Sequence, residues 1–421
     1  MNILRLNAYF DPEITAASHL MNDLYEGFSK NNIICYCVTP EPTRGVSDEI
    51  RKEYKKKRKE ELYEGTLFIE RFRMFREKKN PVQRALRYIA CSFIHYYKGI
   101  NKKNIDLVFS GSTPPTNGII SAMVAKKLTK KYNYNVPFVY ELQDIFPDSM
   151  LNSKLTNKDS FLWKIGRKME DYTYKNADTI IVPTEAMKKN IINKGVNDEK
   201  IQVISNWIDL EKVDYVTCER NKLYKELSLS KKEFIVLYAG NFGEAQGADI
   251  VLKVAEKLQK FNDIRFVIFG GGTYFEDAKQ YVKDKGLNNI LINSLLPQDR
   301  VSEVYSLGDL AVITCKSGTG NAGMPSKTWS IMACNTPIVA SFDKESELDY
   351  VLKKSNAGKC VEPENINELS RVILDYYHKW KECVCLNIDS REYVKTHASK
   401  DACVYRYIDV LKRVNFDNNK N

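Results

Sequence analysis

Short apolar runs alternate with stretches of helical period along most of this chain. Residues 2–9 read as a strand, 18–30 (SHLMNDLYEGFSK) as a helix and 33–39 (IICYCVT) as a second strand. Beyond a long charged stretch, 106–110 (DLVFS) is a short apolar strand, followed by an apolar-periodic helix over 118–131. Segments 137–144 (PFVYELQD), 178–184 (DTIIVPT) and 201–206 (IQVISN) read as further strands, with helices between them. The pattern then restarts. Residues 234–240 (FIVLYAG) form a strand that enters a glycine-punctuated loop and a helix over 248–260, and 264–270, 289–293, 309–314 and 336–341 continue the alternation. Strands alternating with helices predict parallel sheets covered on both faces. Two successive doubly wound α/β units, 1–205 and 206–397, are the simplest account, with the boundary near NWIDL at 206–210. No repeat of 20–50 residues suggests a solenoid, and the last dozen residues read as a frayed tail.

Composition narrows the class. A chain of 421 residues with 43% hydrophobic and 28% charged positions is expected to be globular, with two or three domains. The N-terminus has no basic start followed by an apolar stretch, so a secretory signal is not expected. No run of 18 apolar residues suggests a membrane-spanning helix. The ten cysteines are scattered without a C-x-x-C pair, and the four histidines (His19, His95, His378, His397) complete no ligand set. A zinc site is therefore not expected, and scattered cysteines suit a reducing cytoplasm. The net charge of +10 is localised: residues 51–103 hold 17 Lys+Arg against 6 Asp+Glu, leaving 47 against 48 elsewhere. A basic block in a balanced chain suggests an anionic partner surface, and charge alone admits nucleic acid or anionic lipid.

Four segments carry candidate chemistry. GNFGEAQG (240–247) follows a strand, where glycines let the backbone approach a phosphate and turn into a helix; on spacing alone an ordinary tight strand-to-helix turn is the better account. GMPSKTWSIMA (323–333) places Pro325 as a first helical residue, with Ser326, Lys327 and Thr328 in the first turn. A lysine at the positive end of a helix makes sense if an anion lies between it and the free N–H groups; the bland alternative is a solvated lysine. ELQDIFPDS (141–149) puts Asp144 at a strand's end, where a carboxylate can hold a sugar hydroxyl or assist proton transfer; helix capping by Asp148 is the competing account. Last, 80–103 interleaves Arg84, Arg87 and Lys98 with Leu86, Tyr88, Ile89, Phe93, Ile94, Tyr96 and Tyr97, which suits a membrane interface or the unit's own core. No D-x-D and no G-x-x-x-x-G-K-[ST] occurs, so neither a metal-gripping aspartate pair nor a P-loop is suggested.

With YFDPEITAAS near the start, ELQDIFPDS, NWID, YAGNFGEAQGADIVL and GMPSKTWSIMACNTPIVASFDKESEL with AGKCVEPEN, the chain resembles the family-4 retaining glycosyltransferases over nearly its whole length. It is most similar to the branch with the fucosamine-type transferases of bacterial capsule and O-antigen synthesis. The resemblance implies two Rossmann-like domains facing across a cleft, the GT-B fold, with a C-terminal helix near 398–415 returning to the first. It implies a nucleotide-sugar donor, UDP-linked and of the HexNAc type, bound by Gly240, Asn241, Phe242, Gln246, Gly247, Gly323, Met324, Pro325, Ser326, Lys327, Thr328 and Ser330. Asp144 takes the catalytic position, and Thr15, Ala16, Ala17 and Ser18 line the acceptor side. Neither metal nor other cofactor is expected. The implied acceptor is a polyprenyl-diphosphate-linked glycan at the inner face of the cytoplasmic membrane, with the enzyme peripheral on that surface through 51–103 and no nucleic acid involved. Three departures stand out. The arginine and lysine usual in the glycine loop correspond to Asn241 and Gln246, and the family's two glutamates to Ala322 and Ser330; Thr15, Ala16 and Ala17 replace a glycine pair. The resemblance thus concentrates positive charge on Lys327. Two alternatives remain: a UDP-sugar 2-epimerase of the same architecture, and a non-catalytic, membrane-associated nucleotide-sugar-binding partner.

Overall fold

The computed structural model describes residues 1–13, 18–77, 80–152, 157, 159–320, 323–384 and 389–418. Two compact units emerge: Met1–Asn206 together with Cys403–Asn421, and Trp207–Ala402. In chain order the first contains β1 (Asn2–Leu6), α1 (Ser18–Lys30), β2 (Ile34–Pro40), α2 (Asp48–Tyr54), β3 (Lys59–Leu62), β4 (Leu67–Phe72) and α3 (Pro81–Ile100). It continues with β5 (Leu107–Gly111), α4 (Thr116–Tyr132), β6 (Phe138–Glu141), α5 (Asp148–Asn152), α6 (Phe161–Asn176), β7 (Thr179–Val182), α7 (Glu185–Asn193) and β8 (Ile201–Val203). The second holds α8 (Leu223–Glu226), β9 (Phe234–Asn241), α9 (Asp249–Leu258), β10 (Ile264–Gly271), α10 (Phe275–Asp284), β11 (Ile290–Ser294), α11 (Val301–Tyr305) and β12 (Leu310–Thr314). Then come α12 (Lys327–Ala333), β13 (Ile338–Ser341), α13 (Glu347–Ser355), β14 (Gly358–Val361), α14 (Ile366–Lys381), α15 (Ser390–His397) and α16 (Lys400–Asn418).

The strands form two sheets, ordered β3-β4-β2-β1-β5-β6-β7-β8 and β11-β10-β9-β12-β13-β14. All pairings are parallel except β3 with β4. The reason for near-continuous apolar strands is visible in β9. Ile235 and Leu237 point into one buried cluster, while Phe234, Val236 and Tyr238 point into another on the opposite face. A strand buried on both faces needs apolar residues at every position, and each such side chain contributes roughly 1.5–3 kcal/mol of burial. In the first unit, α16 lies against α1 at Gly27, where an added Cβ would fall 2.3 Å from Val404 Cγ1.

Several expected elements change. The 137–144 strand ends at Glu141, and the 201–206 strand keeps three residues. The long charged stretch, to which no element was assigned, contains β3 and β4. β4 alternates inward Leu67 and Ile69 with half-buried Phe68 and Glu70. β3 (KEEL) is an edge strand, where charged residues block further pairing. β14, four residues at the opposite edge of the second sheet, carries too little pattern to be seen in isolation.

Candidate functional site

In the second sheet the chain order reverses between β9 and β12: β10 and β11 extend one way, β13 and β14 the other. Loops leaving the carboxyl ends of two such strands diverge to opposite faces and open a crevice, the usual ligand position in open α/β sheets. The loop after β9 is built to sit there. Phe242 is buried against Tyr238 and Phe275, with ring centroids 5.3 and 5.5 Å away. Its N–H donates to the Gly271 carbonyl at 2.6 Å, and its carbonyl accepts from Tyr274 N–H at 2.9 Å. Gly247 takes a left-handed φ of 55°, and a Cβ there would lie 3.3 Å from the Cys315 carbonyl. The loop after β12 is stapled to the first: Lys316 N–H donates to Ala245 O at 2.9 Å, and Thr319 Oγ1 donates to the same oxygen at 3.2 Å.

Lys327 lies across this reversal point. It opens α12, and its Nζ donates to the carbonyl of Ala239, at the end of β9, at 3.0 Å. The ammonium also sits 4.5 Å above the centre of the Tyr238 ring. Gly240 leaves the room for it: a Cβ there would come 2.8 Å from Nζ. No carboxylate among the described residues pairs with Lys327, and burial alone pushes its pKa down to about 8. The ammonium is withdrawn while part of the side chain still reaches solvent. A solvated surface lysine is therefore ruled out. The helix starts later than expected, since Pro325 precedes the Ser326 cap position and Lys327 is the first helical residue. Ser326 makes no side-chain capping bond. Thr328 is fully buried and its Oγ1 has no hydrogen-bond partner. Met324 packs against the core, Gly323 is exposed and Ser330 half-buried. Asn241 Nδ2 donates to Gln246 Oε1 at 3.3 Å, so the two neutral residues standing for a charged pair bond to each other. Ala322 lies outside the described residues.

The first sheet reverses between β1 and β5. Asn117 Nδ2 ties the ends of these strands together, donating to Leu6 O at 2.8 Å and Gly111 O at 3.1 Å. Asp144 is exposed on the loop after β6, and that loop is held by Ser112 Oγ, which accepts from the N–H groups of Gln143 at 3.1 Å and Asp144 at 3.3 Å. Asp148 has a structural role: it pairs with Lys194 at 2.8 Å and accepts from Asn190 at 3.1 Å. Behind the loop, buried Glu141 pairs with buried Arg5 at 2.8 Å. Burial works against the Arg5 charge, and Glu141 more than offsets it, holding the guanidinium pKa above its usual value. Sequence reasoning missed Arg5, Ser112 and Asn117; the lone arginine in NILRL was the one available signal. Ser18 opens α1, while Thr15, Ala16 and Ala17 lie outside the described residues.

Part of the basic block is spent internally. Lys98 and Lys102 grip Glu70 at 2.5 and 2.6 Å, Arg71 pairs with Glu60 and Arg51 with Glu41. Arg87, in the helix that the sequence leaves open between a membrane interface and the unit's own core, is fully buried and donates to Ala8 O at 2.9 Å. Among the described residues no helix is long and apolar enough to cross a membrane, and no cluster of three His, Cys, Asp or Glu side chains is placed to hold a metal ion.

Two parallel-sheet α/β units, each with a strand-order reversal, define the GT-B class of fold. HepE of Anabaena, solved in complex with UDP, superposes over 98% of this chain and 100% of its own with a TM-score of 0.71 at 14% identity. The Glycosyltransferase Family 4 model matches residues 20–212, and the model for glycosyl transferases group 1 matches residues 219–393. The chain belongs to the family-4 GT-B glycosyltransferases. It is 26% identical over 278 residues to WcaI of Escherichia coli K12, named as a colanic acid biosynthesis glycosyl transferase, which covers 65% of this chain and 67% of that protein. It is 25% identical over 305 residues to WbjE of Pseudomonas aeruginosa, named as a glycosyltransferase, covering 72% and 74%.

Proposed function

We propose that this protein is a retaining glycosyltransferase that moves a sugar from a UDP-linked donor, a HexNAc nucleotide in the first instance, to a lipid-linked glycan in capsular or O-antigen polysaccharide synthesis. The observation that carries the reading is Lys327: a withdrawn ammonium at a strand-order reversal, with a carbonyl and an aromatic ring but, among the described residues, no carboxylate paired to it. A buried cation without a counter-charge is costly, and an anionic ligand supplies one. In this reading the donor diphosphate lies against Lys327 and the loop from Gly240 to Gly247. The acceptor hydroxyl bonds to the anomeric carbon as the bond to the diphosphate oxygen breaks, and Lys327 stabilises the negative charge left on UDP. Asp144 holds a sugar hydroxyl or takes the acceptor's proton. No step in this scheme calls for a metal. The UDP bound to HepE supports the choice of nucleotide, and the name of WcaI supports polysaccharide synthesis. A polyprenyl-diphosphate carrier would place the work at the cytoplasmic face of the membrane.

Thermal-shift titration with UDP, GDP and CDP compounds, followed by transfer assays on a lipid-linked acceptor, tests the reading. Stabilisation by UDP and transfer from a UDP-sugar are expected. Transfer from a GDP-sugar alone would overturn the nucleotide assignment. Acceptor-free conversion of a UDP-HexNAc would favour the 2-epimerase, and UDP binding without turnover of any donor would favour a non-catalytic partner.

A further inference from the structure

Helix α3 is amphipathic in the inverted sense. Its inward face carries Arg87, Cys91 and His95, all buried. Arg87 reaches Ala8 O and stacks 4.8 Å over Tyr9, and burial pushes the His95 pKa down to about 4. Its outward face carries Val82, Leu86, Ile89, Phe93 and Tyr97, between 49% and 72% exposed. Spacings of 4, 3, 4 and 4 put these five on one line of a helix, spanning about 22 Å at 1.5 Å per residue. Asn80 caps the helix, its Oδ1 accepting from Val82 N–H at 2.9 Å, so the stripe sits on a properly terminated element.

The neighbouring helices extend this surface. α4 packs against both α3 and α6. It has no acidic residue, and Lys126, Lys127, Lys130 and Lys131 are exposed along it. Lys126 Nζ lies 5.6 Å from the centre of the α6 Tyr172 ring. At the start of α6, Phe161, Leu162 and Ile165 are exposed beside Lys164 and Lys168. Of the two α6 acids, Glu170 is turned inward to Tyr174 and Lys194, and exposed Asp171 is paired with Arg167 at 2.6 Å.

We infer that the α3–α4–α6 face of the first unit docks on an anionic phospholipid bilayer, with the α3 stripe among the upper acyl chains and the α4 and α6 lysines on the headgroup phosphates. Exposed apolar patches of this extent mark interaction sites, and large apolar side chains rimmed by lysines match an anionic interface. The exposed lysines of α4 and α6 supply charge beside the stripe, while Lys98, Lys102 and Arg71 of the 51–103 block are held by acids. Because Arg87 bonds to Ala8, just after β1, docking brings the bilayer beside the carboxyl-end crevice of the first sheet. This inference deepens the lipid-linked acceptor of the proposed function and rests on that reading for its purpose.

Vesicle flotation of the full chain tests it. The wild type should float with phosphatidylglycerol-containing vesicles, bind pure phosphatidylcholine at least tenfold more weakly and dissociate as salt rises. Leu86→Glu/Phe93→Glu should lower partitioning at least tenfold, and Lys126→Glu/Lys130→Glu should abolish the preference for anionic lipid. Both variants should keep the wild-type circular dichroism and UDP-induced thermal shift. Undiminished flotation of Leu86→Glu/Phe93→Glu, or a wild type that ignores anionic vesicles, overturns the inference. So does a vesicle-free dimer that this variant dissociates, which would make the face an interface between copies. Vesicle binding without any UDP binding would leave the docking face standing and remove the donor assignment.

Discussion

Replacing Lys327 by methionine keeps the apolar stem and removes the ammonium, and it should change apo stability and donor binding in opposite directions. A lysine whose pKa stands at about 8, against an ordinary 10.5, is held in an environment that disfavours its charge. At pH 7 that penalty is about 3 kcal/mol. The Ala239 hydrogen bond and the Tyr238 ring contact return part of it and are lost with the ammonium. Lys327→Met is therefore expected to leave the apo protein unchanged or to stabilise it by up to about 2 kcal/mol. Donor binding loses a charge-assisted contact to the diphosphate, worth about 1.5–3 kcal/mol, which weakens affinity roughly 10- to 150-fold. Urea unfolding without ligand and calorimetric titration with UDP measure the two quantities. A variant that is destabilised by several kcal/mol and binds UDP as the wild type does would show that Lys327 serves the fold, and the donor-site argument would fail.

The same lysine sets a pH dependence. Its folded pKa lies below its unfolded value, so between about pH 8 and 10.5 the unfolded chain binds more protons, and this group's penalty on stability is relieved as pH rises through that window. UDP binding needs the charged form, so UDP affinity should be flat below pH 8 and fall by up to roughly tenfold per pH unit above it, with proton uptake on binding; an affinity flat to pH 10 would contradict this. Asp144→Asn should lower the transfer rate about 100-fold or more while UDP affinity stays within about twofold, as kcat and titration would show; an unchanged rate would remove Asp144 from the chemistry. Glu141→Gln leaves the Arg5 charge buried without an anion and should destabilise the protein on the order of 3 kcal/mol in urea unfolding, since breaking one partner of a buried pair costs more than the pair contributes; a loss below about 1 kcal/mol would show Arg5 to be solvated by its other partners.

Much of the architecture was legible in the chain itself, because strands buried on both faces must be apolar throughout. FIVLYAG and IRFVIFG stand out on that ground, and both became core strands. The alternation of such strands with periodic helices was sufficient for the α/β class. The glycine loop was legible too, since Gly247 occupies a left-handed conformation beside a carbonyl that a side chain would crowd. The edge strands were not: β3 is charged because an edge must resist further pairing, so its composition mimics a solvated run.

Two decisions belonged to tertiary structure alone. The sequence of α3 shows an amphipathic helix but not which side faces the sheet; Glu77 and the Ala8 carbonyl draw Arg87 inward, and the apolar stripe is thereby turned outward. For Lys327 the chain shows only a cation near a helix start. The reversal between β9 and β12 brings the Ala239 carbonyl and the Tyr238 ring to it across 88 residues, with no acid among the described residues paired to it. Hydrophobic periodicity encodes which residues avoid water, a local property of each segment. Which charged groups meet, and which are left without a partner, depends on contacts between distant segments that only the folded chain creates.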